Sequence, residues 1–285
     1  MSELRATLFG IGAILLWSLL ALLTAMSGDV PPFQLTAICF AIATIIGAVA
    51  LVQSGAGFAP LRQPWPVWLL GVGGLFGYHF FYFTALRNAP PVEAGLIAYL
   101  WPLLIILFSA LLPGERLLTR HVIGGLVGLS GAYLIVTKGA GLALDPAHTF
   151  GYAMAAACAL TWSSYSVLSR RFAEVPSAAV TGFCAVAAVL ATFAHFGLET
   201  TQWPTTPLQW MATLGLGLGP VGLAFYIWDI GVKRGNIQLL GSASYAAPVL
   251  STIALLLAGF GAFTWHVAAA ALLVTLGAVI ASWKG

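Results

Sequence analysis

Gly95-Leu96-Ile97-Ala98-Tyr99-Leu100-Trp101-Pro102 and Gly241-Ser242-Ala243-Ser244-Tyr245-Ala246-Ala247-Pro248 carry the same G-x-x-x-Y-x-x-P pattern, 146 positions apart. Each stretch lies in a longer apolar run, and roughly 20 such residues suffice for a helix to cross about 30 Å of hydrocarbon. A proline in the middle of such a helix removes an amide donor and displaces the carbonyl four residues back. The two stretches therefore predict a pair of kinked membrane helices at equivalent places in two halves of the chain.

Composition extends that reading to the whole sequence. The chain is 60% hydrophobic and 7% charged, where a soluble domain carries about a quarter charged residues. The spacing of the charges predicts ten spans: Arg5 to Ala25, Phe33 to Gln53, Trp65 to Leu86, Val92 to Leu112, His121 to Thr137, Tyr152 to Leu168, Ser177 to Phe196, Leu208 to Val232, Ile237 to Ala258 and Trp265 to Trp283. The fold class is all-α integral membrane, with short turns and no room for a soluble domain. The first stretch is too long for the apolar region of a signal peptide, and Glu3 precedes Arg5. Cys39, Cys158 and Cys184 fall inside spans without metal-type spacing and read as small core residues.

With the N-terminus in the cytoplasm, Arg5, Arg62, Arg116, Arg120, Arg170, Arg171, Lys233, Arg234 and Lys284 lie at cytoplasmic ends, and only Arg87 and Lys138 outside. This positive-inside bias sets both termini in the cytoplasm. The net charge of +3 then follows from topology, and no nucleic-acid partner is implied.

An offset of 145 or 146 also superposes Trp17-Ser18 on Trp162-Ser163, Pro31 on Pro176, Cys39 on Cys184 and Gly131-Ala132 on Gly277-Ala278. Two five-helix units, 1–142 and 143–285, follow. Because five is odd, the second enters the membrane in the opposite sense, an architecture of transporters that places sites near the midplane. An enzyme is disfavoured. Gly217, Gly219 and Gly222 satisfy G-x-G-x-x-G, but inside an apolar span rather than a strand-turn-helix. Motifs for metal hydrolysis or acyl transfer are missing. No cofactor or metal is expected. A channel or structural membrane subunit is the other class open at this point.

The candidate site lies at mid-span. Pro102 and Pro248 should free the carbonyls of Ala98 and Ser244 for a substrate ammonium, or simply kink their helices for packing. Tyr78 and Tyr82, and His79 and Phe83, are i,i+4 pairs. With Trp17, Tyr99, Trp101, Trp162 and Tyr245 they could wall a cavity for an aromatic solute, or fill the core; Phe80 and Phe81 should face away. His79 is the one histidine well inside a span. It could bind a carboxylate or carry a proton, or be a satisfied structural residue. Ser244 and Ser251 flank Pro248 and could serve a polar head group or cap the kink. Asp229 and Lys233 should form a same-face ion pair, and Glu93 should cap its helix. Trp65, Trp68, Trp203, Trp210, Trp265 and Trp283 read as interfacial anchors. The pairs Gly73/Gly77, Gly124/Gly128 and Gly215/Gly219 should mark close helix crossings.

These features, with the Gly114-Glu115-Arg116 turn after the fourth span, resemble paired EamA-type units of the drug/metabolite transporter superfamily over nearly the entire chain. The likeness is strongest to its bacterial aromatic amino-acid exporters. It implies ten helices around a central cavity lined by the third, fourth, eighth and ninth helices with the first and sixth. It also implies export from the bacterial inner membrane of aromatic and other neutral amino acids, or of hydrophobic drugs or other metabolites. The expected partners are the small-molecule substrate and membrane lipid, with no obligatory protein partner. The second unit has Gly261-Ala262 where the first has Gly-Glu, which weakens any argument that the glutamate is needed for transport itself.

Overall fold

The computed structural model describes residues 1–140, 144–260 and 264–283; Gly261-Ala262 and Lys284 lie outside the described residues. The described chain is a helix bundle, here numbered α1 Glu3–Met26, α2 Pro32–Gln53, α3 Trp65–Asn88, α4 Pro91–Ser109, α5 Thr119–Thr137, α6 Thr149–Leu168, α7 Ser177–Leu198, α8 Pro207–Arg234, α9 Ile237–Leu257 and α10 Trp265–Ser282. All but α6 are long and apolar enough to cross a membrane. α6 has 20 residues, but Thr161, Ser163, Ser164 and Ser166 lower its hydropathy. Ser163 and Ser166 are fully buried, so its polar groups face protein rather than lipid.

Short connections fold the helices back and forth, so their ends collect on two faces. One, the N-terminal face, holds Ser2 and the turns 54–64, 110–118, 169–176 and 235–236. The opposite face holds 27–31, 89–90 and 199–206. Helix contacts run α1 with α8, α3 with α6, α2 with α7, α4 with α9 and α5 with α10. Exchanging the first five helices for the last five maps this set onto itself.

α1 breaks after Trp17 and resumes at Leu20, and four further helices are irregular in matched pairs. α3 winds as a π-helix over Gly73–Gly77 and α8 over Gly219–Leu223, 146 positions apart. α4 breaks after Ala98 and resumes at Trp101; α9 breaks after Ala243 and resumes at Ala246. The prolines therefore open a second helical segment, where a missing N–H is least missed. The expectation of a freed Ser244 carbonyl needs correction. Ser244 O accepts from Ala247 N at 3.1 Å, a shorter-range bond that replaces the one Pro248 cannot make.

The glycine crossings also need correction. At α5 and α10 a methyl on Gly277 would lie 2.6 Å from the Gly124 carbonyl oxygen, so the two backbones touch. Gly73 has nothing within 4 Å, and Gly77, Gly215 and Gly219 meet only side chains, the nearest at 3.5 Å. Two of the three pairs thus lie at or beside the π segments without marking a crossing. Among the anchors, Trp65, Trp203, Trp210, Trp265 and Trp283 are exposed. Trp68 instead packs edge-on against Phe183 at 5.4 Å, turned inward from α3 towards α7. Cys39, Cys158 and Cys184 are buried free thiols, as expected.

Candidate functional site

Rings from six helices meet in the centre of the bundle. Trp17 on α1 lies 5.5 Å from Trp162 on α6, 6.3 Å from Trp101 on α4 and 5.0 Å from Trp228 on α8. Trp162 continues to Tyr78 on α3 at 5.4 Å. Tyr78 stacks on Tyr82 at 6.0 Å and 4°, and His79 meets Phe83 at 6.0 Å, as helical spacing predicted. His79 also meets Phe40 of α2 edge-on at 5.2 Å and Phe225 of α8 at 6.1 Å. Trp101, Trp162 and Trp228 are buried, while Trp17, Tyr78, Tyr82 and Phe83 are half-buried. By position along their helices, Trp162 and Trp228 lie towards the N-terminal face and Tyr82 and Phe83 towards the opposite one. The tryptophans make a floor, and the α3 rings a wall above it.

The π turns explain why two of these rings point where they do. A π turn shifts the backbone bonding register and is frequent at functional sites. In α3, Leu75 O is taken by His79 Nδ1 at 2.7 Å. A carbonyl only accepts, so Nδ1 carries the proton and Nε2 is left as the free nitrogen. In α8, Pro220 O accepts from the Trp17 indole Nε1 at 3.0 Å. Trp228 Nε1 donates to Ser166 Oγ at 3.1 Å, which gives one of the α6 serines its buried partner.

Other expected site residues stand apart. Tyr245 is fully buried, and its hydroxyl accepts from Leu103 N at 3.1 Å. That amide belongs to the first turn of the resumed α4 segment, so Tyr245 satisfies the broken helix from α9. Ser244 is also fully buried and donates to Leu240 O at 2.7 Å, so its hydroxyl serves its own helix. Tyr99, half-buried at the α4 break, and Ser251, half-buried beyond Pro248, form no ring pair or side-chain hydrogen bond with the cluster among the described residues, although Tyr99 lies close enough to Tyr78 and Tyr82 to interact with them electrostatically. Glu93 sits in the first turn of α4 but makes no cap hydrogen bond; its Oε2 is buried and unpartnered. Phe80 turns to Phe33 and Phe76 at 5.9 and 5.8 Å, away from the tryptophans.

Phe40, Phe225 and Trp228 were not anticipated. The repeat could have supplied two of them, because an offset of 146 carries His79 onto Phe225 and Tyr82 onto Trp228.

Ionic contacts flank the cluster. Asp229 Oδ2 accepts from Lys233 Nζ at 2.8 Å, the expected pair, and from Ser177 Oγ at 2.6 Å. Lys233 Nζ also donates to Val175 O at 2.9 Å, which ties α8 to the turn before α7. On the opposite face Glu199 accepts from Phe33 N at 2.9 Å, Gln34 N at 3.1 Å and Arg87 Nη2 at 2.7 Å. It thereby caps α2 and pins the end of α3.

Paired breaks and π turns in membrane-length helices, closing on a buried ring cluster, are the construction of a multi-pass membrane transporter. The chain belongs to the EamA-like transporter family, whose model matches residues 4–137 and again 149–283. It is 55% identical over 283 residues to the aromatic amino acid exporter YddG of Ancylobacter novellus, covering 99% of this chain and 98% of that one. It is 27% identical over 266 residues to the YddG of Salmonella typhimurium, covering 88% of each. A crystal structure 55% identical in sequence superposes with a TM-score of 0.93 over 98% of this chain and 97% of that chain.

Proposed function

We propose that this protein exports aromatic and other neutral amino acids across the bacterial inner membrane by alternating access, using ten spans arranged as two inverted units, 1–142 and 143–285. The observation that carries the reading is the ring cluster joining Trp17, Tyr78, Trp101, Trp162 and Trp228. Stacked and edge-on rings favour an aromatic guest by about 0.5–1.5 kcal/mol per pair beyond the area buried. The 55% identity, over nearly the full length of both chains, to an exporter of aromatic amino acids points the same way.

Alternating access is supported by the matched π turns and breaks, which give equivalent flexible points to the two units. The N-terminal face is assigned to the cytoplasm on the positive-inside bias. Leu20–Met26, the outer part of α1, has no fully buried residue and packs on the bundle through partly buried Leu23; this looser packing supports a cavity reaching the outer face. In the proposed cycle the substrate ring rests against the tryptophan floor beside Tyr78 and Tyr82. His79 Nε2 and the α4 break offer polar contacts to the amino and carboxylate groups. Saturable tryptophan flux in liposomes, absent without protein, tests the reading.

A further inference from the structure

The Gly-Glu-Arg turn after α4 plays no part in the ring cluster, yet its glutamate joins a polar network that spans several helix ends on the N-terminal face. Glu115 Oε1 pairs with Arg170 Nη2 at 2.8 Å, and Oε2 accepts from Gln238 Nε2 at 2.8 Å. Arg170 turns its other nitrogen to the carbonyls of Gly235 at 2.8 Å and Val232 at 3.3 Å. One carboxylate therefore gathers the ends of α4, α6, α8 and α9. Three of these supply the tryptophan floor through Trp101, Trp162 and Trp228, and the fourth carries the second break. The pair is about a fifth exposed, 22% for Arg170 and 21% for Glu115, so water can take over its bonds when the helices part.

Ser242 lies one turn deeper than Gln238 on the same face of α9. It is 1% exposed and its Oγ has no hydrogen-bond partner. A buried hydroxyl without a partner is unfavourable and is relieved if the space beneath Glu115 fills with water or a polar solute. The second unit has Gly261-Ala262 in sequence where the first has Gly114-Glu115, so the acid of this junction comes from the first unit while Arg170 and Gln238 come from the second.

We propose that Glu115, Arg170 and Gln238 form the latch of the cytoplasmic gate, closed as described and broken when the cavity opens inward. The latch rests on the alternating-access reading. Glu115 is a positioning residue: it sets which side the cavity faces and does not touch the substrate. This also gives the glutamate a role that its absence from the second unit does not contradict.

The test is alkylation of Ser242→Cys by a membrane-impermeant maleimide in inside-out vesicles, with the buried native cysteines as background. Glu115→Gln and Arg170→Gln should each speed labelling at position 242 about tenfold, and the charge exchange Glu115→Arg with Arg170→Glu should restore slow labelling. Unchanged labelling in Glu115→Gln overturns the latch. So does equal acceleration at Cys39, Cys158 and Cys184, which would mean general loosening. Tryptophan flux is measured on the same variants: a parent protein without flux counts against the transport reading, while the labelling ratio still reports on the junction.

Discussion

Arg87 and Lys233 stand 146 positions apart, close α3 and α8 at opposite faces of the bundle, and are each ion-paired, Arg87 to Glu199 at 2.7 Å and Lys233 to Asp229 at 2.8 Å. The cations are repeated but their acids are not. The same offset carries Asp229 back onto Phe83, whose ring packs on Phe33 at 5.5 Å, and Glu199 back onto Gln53. The cation recurs at this offset, and each face has its own fastening.

The outer clamp is unequal in its two partners. Glu199 is 1% exposed on its side chain and Arg87 39%. Glu199→Ala leaves two amides of α2 uncapped and should cost about 3 kcal/mol. Arg87→Ala removes a largely hydrated partner that also lies over the Phe33 ring at 5.5 Å and should cost about 1 kcal/mol. Thermal unfolding in detergent should rank the melting temperatures parent, Arg87→Ala, then Glu199→Ala.

At the inner pair both side chains are buried, 6% exposed for Lys233 and 2% for Asp229. Asp229→Asn strands a buried ammonium and should destabilise by about 3–5 kcal/mol. Adding Lys233→Met should recover most of that loss. A double-mutant cycle with no coupling would contradict the pairing.

Glycine tolerance should follow contacts rather than the repeated motif. Gly277→Ala drives a methyl against the Gly124 carbonyl and should cost about 1–3 kcal/mol. Gly95→Ala, although Gly95 opens the repeated pattern, meets nothing within 4 Å and should be neutral. Melting curves of the two single variants decide it.

Hydropathy made the helices legible because all but α6 are apolar enough along their length to cross a membrane, and α6 was read as the apolar stretch between two clusters of charge. Spacing within α3 foretold both of its ring stacks. The π turns were not legible, since Gly73–Gly77 and Gly219–Leu223 differ in sequence and only backbone register defines them. Without them the engagement of His79 by Leu75 and of Trp17 by Pro220 has no visible cause. Phe225 and Trp228 were within reach of the repeat, but Glu199 lies in a connection with no equivalent acid, and its bonds to α2 and Arg87 come only from tertiary contact.

The ring wall should govern affinity more than turnover. Tyr78→Ala and Tyr82→Ala should raise the KM for tryptophan roughly 3- to 10-fold and leave that for alanine nearly unchanged. Equal changes for both solutes would place the α3 rings outside the binding cavity.

His79 is tied to Leu75 through Nδ1, so only Nε2 can take up a proton or a substrate group. His79→Asn offers an amide to the same carbonyl while removing the titrating nitrogen. If His79 carries a proton in the cycle, this variant should make tryptophan flux independent of a pH gradient. An unchanged pH response would leave His79 a structural residue of the π turn.

The most direct measurement is uptake of labelled tryptophan and phenylalanine into liposomes containing the purified protein, compared with alanine and a hydrophobic cation. Saturable flux that favours the aromatic amino acids is the expected result. No flux above empty liposomes for either aromatic amino acid, or flux of the hydrophobic cation alone, would contradict the account.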